Sequence, residues 1–300
     1  LGNLFSALLA WLSVRSAGGV LVLRMEDLDP DRCRPEYAAQ LAEDLLWLGL
    51  DWDEGYGKGG PDGPYLQSER TERYAAAFGR LEEMGLVYPC YCTRAERLAA
   101  SAPHRSDGQA VYGGRCRDLT VEERSVLEAA GRRPAWRLKV PDEVWAVEDG
   151  HMGRYGENLL RGCGDFIIRR SDGVYAYQLA VVADDGAMGV NQVVRGRDLL
   201  SSTPRQCYLY HLLGLEPPEF RHVPLLLAED GRRLSKRDRD LNMGALRARW
   251  TPEELAGRLA MLAGLQTGPE PVTPAALAEG FSWERVPRTD IVVPGGLFEK

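Results

Sequence analysis

The sequence predicts an α/β fold whose Rossmann-like core is interrupted by an insertion and followed by a small helical region. Short apolar runs of strand length alternate with helices of 3.6-residue periodicity over residues 1–85 and again over 165–240. Between them, residues 86–164 carry clustered cysteines and mixed polar strands, which predicts a unit inserted between two halves of one domain. Residues 241–300 return to helical spacing, so we expect a helical C-terminal region.

The composition is that of an ordinary globular chain. Of its 300 residues 44% are hydrophobic and 27% are charged, and a net charge of −7 disfavours non-specific binding to nucleic acid. The sequence shows neither an apolar run long enough for a membrane span nor the pattern of a signal peptide. Six scattered cysteines are too few for a disulfide scaffold of this size. We therefore expect a cytoplasmic, monomeric protein that does not bind membranes.

The first half opens with helix and strand signals. Apolar residues at helical spacing predict a helix over residues 3–17, with Asn3 as its N-cap and Gly18-Gly19 at its end. The apolar run Val20–Leu23 then predicts a fully buried strand. Two further helices are predicted, one from Pro35 to Leu48 and one from its N-cap Ser68 to Gly85.

A cluster of carboxylates follows the predicted strand directly. It comprises Glu26, Asp27, Asp29 and Asp31, and Pro30 within it prevents further regular pairing. Ligands of open α/β sheets bind just beyond the carboxyl ends of the strands. The cluster is therefore a candidate site for an amine-bearing substrate. The alternative is a solvated, Asx-rich loop.

The insertion and the second half show their own helix and strand signals. Thr120 and Glu123 have the spacing of a capping box, and residues 135–139 predict a strand. Strand-like and buried-helix character returns over 164–170 and 174–183, strands are predicted over 193–195 and 223–227, and a helix is predicted over 203–213. In the C-terminal region Thr251 and Glu254 predict a further capped helix, whereas the last stretch is Pro-rich and weakly patterned.

A basic, hydroxyl-bearing segment from Arg232 to Arg237 follows the last predicted strand and a glycine turn. Such a segment suits a polyphosphate, because a lysine on a flexible loop can reach charge that develops only in the transition state. The alternative is a solvated basic hairpin. The sequence has no Walker A pattern and no G-x-G-x-x-G after a strand, so neither a P-loop nor a dinucleotide-binding fold is expected.

Eight motifs resemble, in their order along the chain, those of class I glutamyl-tRNA synthetases. They are Arg24-Met-Glu-Asp-Leu-Asp29, Leu48-Gly-Leu-Asp-Trp-Asp53, Leu66-Gln-Ser-Glu-Arg70, Tyr88-Pro-Cys-Tyr-Cys92, Asp165-Phe-Ile-Ile-Arg-Arg170, Ala176-Tyr-Gln-Leu-Ala-Val-Val-Ala-Asp-Asp185, Val194-Arg-Gly-Arg-Asp-Leu199 and Arg233-Leu-Ser-Lys236. The resemblance covers residues 1–240 and implies the Rossmann-like core of a class I aminoacyl-tRNA synthetase. Within this family the chain resembles the glutamyl-queuosine tRNA(Asp) synthetases.

The resemblance implies a site for L-glutamate. Glu26 would take the α-ammonium group, Tyr177 would shape the pocket and Arg195 would bind a substrate carboxylate. A planar guanidinium suits the last task because it can pair with both carboxylate oxygens. From the residues alone, the alternative for Arg195 is a salt bridge to Asp184, Asp185 or Asp198.

The resemblance also implies an ATP site, with ATP and Mg²⁺ as substrate. Lys236 would be the catalytic residue that stabilises phosphate charge, with Leu234 and Ser235 of the same signature beside it. Of the family's first ATP signature only Leu1-Gly2-Asn3 is present, and the strand that precedes it in the family is missing. Gly2 and Asn3 would offer the amides of a helix N-terminus to phosphate.

Three cysteines predict a structural zinc site. Cys90, Cys92 and Cys116 give three thiolates, and zinc prefers four tetrahedral ligands. In the glutamyl-queuosine enzymes that the chain resembles, the tyrosine of Tyr-x-x-x-Cys, here Tyr112, is the fourth. Because phenolate is a hard and uncommon donor, His104 competes with it on first principles, and a chain without metal is a third possibility. Structural roles are predicted for the other histidines, His151, His211 and His222.

The resemblance implies a two-step ligase reaction. Glutamate would be activated by ATP to glutamyl-adenylate without any tRNA, and the glutamyl group would then esterify queuosine in the anticodon arm of tRNA(Asp). One alternative is a truncated glutamyl-tRNA synthetase that charges tRNA(Glu), against which Tyr112 argues. The other is an inactive, zinc-stabilised RNA-binding remnant. Pyrophosphate exchange with glutamate and ATP would discriminate between these functions.

Overall fold

The computed structural model of the chain describes residues 1–29, 31, 33–93, 96, 111–234 and 241–299. The helices in these ranges are α1 (Gly2–Ser16), α2 (Pro35–Trp47), α3 (Thr71–Glu83), α4 (Val121–Ala129), α5 (Leu159–Gly162), α6 (Tyr177–Ala187), α7 (Thr203–Leu212), α8 (Met243–Arg249), α9 (Pro252–Leu262) and α10 (Pro274–Glu279). The strands are β1 (Val22–Leu23), β2 (Glu54–Gly55), β3 (Val87–Cys90), β4 (Ala135–Leu138), β5 (Val144–Asp149), β6 (Gly153–Asn158), β7 (Phe166–Arg169), β8 (Gln192–Gly196), β9 (Glu219–Val223), β10 (Leu226–Leu227) and β11 (Ile291–Val292). None of the helices in the described ranges is long and apolar enough to cross a membrane.

The first half is built around α1 and β1. Leu8, Leu9 and Leu12 of α1 are fully buried, because apolar residues at this spacing share one helix face. β1 pairs in parallel with β2. The prediction of a fully buried strand from Val20 is wrong, since Val20 is 67% exposed and both residues of β1 are half-buried. In the described part of the chain β1 is paired on one side only, which leaves its other edge without a strand partner.

Two of the predicted N-caps are wrong and two are confirmed. The helical hydrogen bonds of α1 begin at the carbonyl of Leu1, so Asn3 lies inside the first turn. Ser68 precedes α3 in a short 3-10 helix, where its amide and hydroxyl donate to Asp27 at 2.9 and 2.6 Å. The confirmed capping boxes are Thr120 with Glu123 at α4 and Thr251 with Glu254 at α9.

The insertion is joined to the second half of the core by one antiparallel sheet. β4 lies between β3 and β7, so strands from both sides of residue 164 share this sheet. β5 and β6 form a hairpin, and at its turn the amide of Gly150 donates to the carbonyl of Phe220 at 2.8 Å. This contact brings Asp149, the last residue of β5, against β9.

The second half contains a parallel pair of strands, β8 and β9, in which Arg195 lies opposite His222. Residues 223–227, predicted as one strand, are instead divided between β9 and β10. Pro224 lies between the two and has no amide hydrogen to donate to a ladder. The α6 residues Leu179 and Val182 are fully buried in the core of this half.

The C-terminal region is helical and contributes one strand. Leu255, Leu259 and Leu262 of α9 are buried, as their spacing predicts. The weakly patterned last stretch contains β11, which pairs in parallel with β10. It buries Val293 and Phe298 in the main core, the hydrophobic core that also contains the buried leucines of α1. This region therefore packs on the first half and the end of the second.

Candidate functional site

Arg24, directly after β1, is neutralised by acidic side chains. Its Nη2 lies 2.8 Å from Asp185 Oδ1 and 3.4 Å from Glu26 Oε1, and its Nε lies 3.7 Å from Asp184 Oδ2. The side chain is 11% exposed. Burial lowers the pKa of Arg24, but the three carboxylates outweigh that effect and raise it. The positive charge of Arg24 is therefore fully compensated within the protein.

Asp184 of α6 is the centre of a buried hydrogen-bond network. It accepts hydrogen bonds from Gln67 Nε2 at 2.9 Å, from Arg70 Nε at 2.6 Å and from the Tyr74 hydroxyl at 2.7 Å. Burial and the contact with Asp184 raise the pKa of Tyr74, so it stays protonated. These buried hydrogen bonds fix α6 against α3 and the segment before it. Arg70 and the amide nitrogen of Gln67 are thus used within the protein, whereas Gln67 Oε1 is buried without a hydrogen-bond partner among the described residues.

Glu26 and Arg195 both act electrostatically on Tyr177. Burial raises the pKa of Tyr177, the Glu26 carboxylate raises it further, and the Arg195 guanidinium lowers it. Desolvation also raises the pKa of Glu26, against the opposing effect of Arg24. The structure thus brings the three residues predicted for glutamate binding into one neighbourhood.

Arg195 on β8 is held by neutral groups. Its Nε donates to His222 Nε2 at 3.0 Å, and its Nη2 donates to Thr203 Oγ1 at 2.9 Å. The centroid of the Phe220 ring lies 5.0 Å from its Cζ atom, and the residue is 9% exposed. The structure does not show the alternative salt bridge, because the three candidate aspartates pair elsewhere. Asp184 and Asp185 pair with Arg24, and Asp198 pairs with Arg233 at 2.9 Å.

His222 connects Arg195 to Asp149. Its Nδ1 lies 2.6 Å from Asp149 Oδ2, and both side chains are fully buried. Because a guanidinium can only donate, His222 Nε2 must accept from Arg195, and the Nδ1–H group must donate to Asp149. Burial lowers the pKa of His222 below 6.5, which favours this neutral form. No local sequence signal could have found this contact, since Asp149 lies on the β5–β6 hairpin of the insertion.

The Leu-Ser-Lys motif is described only up to Leu234. Leu234 is partly buried against the main core, next to Arg233 and its ion pair with Asp198. Ser235 and Lys236 lie outside the described residues, so their roles stay predictions.

The start of α1 lies close to the residue that follows this segment. The backbone nitrogen of Leu1 lies 3.1 Å from the carbonyl oxygen of Leu241. Gly2 and Asn3 follow in the first turn of α1, and Asn3 is exposed. The two stretches predicted to bind ATP are therefore brought to the same part of the molecule at their described ends.

The cysteines of the insertion converge. The sulfurs of Cys90, Cys92 and Cys116 all lie within 4.8 Å of one another, with Cys92 and Cys116 3.5 Å apart. The Tyr112 hydroxyl lies 3.5 Å from Cys90 Sγ and 4.0 Å from Cys92 Sγ. His104, the competing fourth ligand, lies outside the described residues.

This donor set fits zinc. Zn–S bonds of about 2.3 Å at tetrahedral angles separate two sulfurs by about 3.8 Å, and a sulfur from an oxygen ligand by about 3.6 Å. Burial raises the pKa of the Cys92 thiol to about 12, with Cys116 adding to the effect. A metal has to displace this proton, so affinity falls as pH falls. The Arg137 guanidinium lies 3.6 Å from the centroid of the Tyr112 ring, where its charge favours an anionic donor set.

Comparisons with known proteins agree with the motif order. The model of the family described as tRNA synthetases class I (E and Q), catalytic domain, matches residues 1–272. The chain is 53% identical to the Glutamyl-Q tRNA(Asp) synthetase of Nitratidesulfovibrio vulgaris over 100% of this chain and 93% of that protein. It is 52% identical to the protein of the same name from Symbiobacterium thermophilum, over 98% of this chain and 92% of that protein.

The fold is similar to that of a crystal structure of a glutamate tRNA ligase from Elizabethkingia meningosepticum in complex with its amino acid. The TM-score is 0.83 at 27% identity, and the match covers 99% of this chain and 65% of that one. The chain thus spans slightly less than two thirds of the length of that ligase. At this similarity the class I synthetase fold is confirmed.

Proposed function

Since the chain belongs to the class I tRNA synthetases (E and Q), we propose that it is an ATP-dependent ligase of the glutamyl-Q tRNA(Asp) synthetase type. It activates L-glutamate to glutamyl-adenylate in the absence of tRNA and transfers the glutamyl group to queuosine in the anticodon arm of tRNA(Asp). The observation that carries this proposal is that the Arg195 guanidinium, in the electrostatic neighbourhood of Tyr177 and Glu26, has no carboxylate partner among the described residues. A cation and an anion in one pocket match the two charged ends of glutamate.

Each charged group of glutamate has a partner in this proposal. The Glu26 carboxylate binds the α-ammonium group, and Tyr177 shapes the pocket around that group. Arg195 binds the side-chain carboxylate, because the α-carboxylate has to stay free to react. A guanidinium pairs with both oxygens of a carboxylate, and a buried cation left without such a partner disfavours glutamine.

Activation is a displacement at phosphorus. An oxygen of the glutamate α-carboxylate attacks the α-phosphorus of ATP, and the bond from that phosphorus to pyrophosphate breaks. The amides of Gly2 and Asn3 and the loop residues Leu234, Ser235 and Lys236 form the nucleotide side. The Lys236 ammonium neutralises charge that develops on the phosphates, so positioning and electrostatics supply the catalysis.

Transfer completes the reaction. A hydroxyl of the queuosine base attacks the carbonyl carbon of the mixed anhydride and loses its proton to water, and AMP leaves with the bonding electrons of the anhydride bond. One structural Zn²⁺, held by Cys90, Cys92, Cys116 and Tyr112, would stiffen the insertion and take no part at the reacting atoms.

Two assays with the same chain test the proposal. Glutamate-dependent exchange of pyrophosphate into ATP without tRNA is expected. Labelled glutamate should then transfer to tRNA(Asp) that carries queuosine and not to an unmodified transcript of the same tRNA. Transfer to tRNA(Glu) instead would establish a glutamyl-tRNA synthetase. Absence of exchange together with retained RNA binding would establish the remnant.

A further inference from the structure

A buried imidazole, rather than a carboxylate, holds the Arg195 guanidinium. Building on the proposed function, we infer that His222, kept by Asp149 in its neutral Nδ1–H tautomer, is a positioning residue. It fixes the direction of Arg195 and leaves the charge of that arginine available to the side-chain carboxylate of the substrate.

The hydrogen bonds divide the Arg195 guanidinium into a held edge and an open edge. Nε and Nη2 form the held edge, with His222 Nε2 at 3.0 Å and Thr203 Oγ1 at 2.9 Å. Thr203 is itself fully buried, and its hydroxyl lies 3.4 Å from His222 Nε2. Within the described ranges Nη1 makes no hydrogen bond to the protein. The edge formed by Nη1 and the second Nη2 hydrogen is therefore the one that can pair with both oxygens of a ligand carboxylate.

A neutral acceptor is the chemistry that this position requires. A carboxylate in place of His222 would neutralise Arg195, as Asp185 neutralises Arg24. It would also compete with the substrate carboxylate for the guanidinium. The His222 ring separates the Asp149 carboxylate from Arg195, and other hydrogen-bond donors share the charge of that carboxylate. Its Oδ1 accepts from the backbone amides of His151 at 3.0 Å, Met152 at 2.7 Å and His222 at 3.2 Å.

The tautomer of His222 is the first test, and it does not depend on activity. In the full chain labelled with ¹⁵N-histidine, the four histidines give separate ring signals, and those of His222 are identified by their loss in His222→Gln. At neutral pH we expect a protonated, pyrrole-type Nδ1 and an unprotonated, pyridine-type Nε2. The opposite tautomer, or an imidazolium ring, would overturn the inference even in a chain that shows no exchange activity.

Exchange kinetics with glutamate are the second test. His222→Phe removes the acceptor, so the KM for glutamate should rise about 10- to 100-fold while the KM for ATP stays nearly unchanged. His222→Gln keeps a side-chain oxygen that can accept from Arg195 and should recover most of this loss. His211→Phe is the matched control, because His211 is exposed and contacts the Trp145 ring at 5.4 Å.

Asp149→Asn extends the same test. Its amide group can donate to His222 Nδ1, which would move the proton to Nε2 and set it against the Arg195 Nε–H. We expect the rise in KM for glutamate that His222→Phe shows, together with the changed ring signals. A parallel rise in the KM for both substrates, or wild-type kinetics in both variants, would overturn the inference. A wild-type chain without glutamate-dependent exchange would instead overturn the proposed function.

Discussion

Arg24 and Arg195 are buried to a similar degree, yet their surroundings are opposite. Arg24 is surrounded by three carboxylates, from Glu26, Asp184 and Asp185. Arg195 contacts an imidazole, a hydroxyl and an aromatic ring, none of which carries a negative charge. A buried charge is stable only if it is paired. Arg24 is complete within the protein, whereas Arg195 has no carboxylate partner among the described residues and, on the proposed function, is completed by the substrate. On that proposal the difference separates a structural arginine from a substrate-binding one.

The largest effect is expected when the incomplete arginine is removed. In Arg195→Met the side-chain carboxylate of glutamate loses its partner, so kcat/KM for glutamate in pyrophosphate exchange should fall by about 10⁴-fold. Arg197→Met is the matched control, because Arg197 is more exposed and pairs with Asp290. An equal loss in Arg195→Met and in the control Arg197→Met would contradict a specific role of Arg195 in binding the substrate carboxylate.

Removing the complete arginine should affect stability more than substrate recognition. Arg24→Met leaves Asp185 buried without its cation, while Asp184 keeps Arg70. We expect the free energy of unfolding in urea to fall by about 3–5 kcal/mol. In the double variant with Asp185→Asn the uncompensated charge is gone, and part of the stability should return. A single variant as stable as the wild type would show that the ion pair of Arg24 and Asp185 does not stabilise the fold.

The pH dependence of glutamate use sharpens the comparison at Glu26, which lies beside Arg24. The pKa of Glu26 is raised above 4.5, and its ionised form is the one that binds an ammonium group. Binding of glutamate is therefore expected above that raised pKa and lost as pH falls through it, so the acid limb of kcat/KM lies above pH 4.5. Glu26→Gln should lower kcat/KM about 10- to 100-fold and abolish this limb. A limb of the same midpoint in Glu26→Gln would assign it to another group.

The smallest effect on glutamate kinetics is expected at the proposed metal ligands, which belong to the insertion. Tyr112→Phe should weaken Zn²⁺ binding about tenfold or more in competition with a chromophoric chelator, and leave the KM for glutamate unchanged. His104→Phe is the control for the fourth ligand. Weaker zinc binding in His104→Phe, with no change in Tyr112→Phe, would reverse the assignment.

The sequence was informative where chemistry and motif lie close together along the chain. The resemblance implied the grouping of Glu26, Tyr177 and Arg195, because each of the three lies in one of its motifs. The capping boxes at α4 and α9 were predictable for the same reason, since each depends on residues three positions apart. That Lys236 joins Glu26, Tyr177 and Arg195 in one site stays a prediction.

Contacts between distant segments explain what the sequence did not reveal. Ser68 has the side chain of an N-cap, but a tertiary contact with Asp27 uses its hydroxyl. The strand from Val20 is shorter and more exposed than its composition indicates, since burial depends on neighbouring strands. The pair of His222 and Asp149 joins the second half to the inserted hairpin, and no local pattern encodes it.

The pairing of β11 with β10 gives the weakly patterned end of the chain a structural role. Its residues pair with β10, and the Asp290 carboxylate just before it accepts from the amide of Leu225 at 3.0 Å. Further on, the amide of Gly295 donates to Glu229 at 2.9 Å, so this stretch holds the segment before the turn that leads to Leu234 and the first residue of that turn. Proteolysis or tagging near residue 290 should therefore disturb ATP use before it disturbs amino-acid selection, although no residue there takes part in the chemistry.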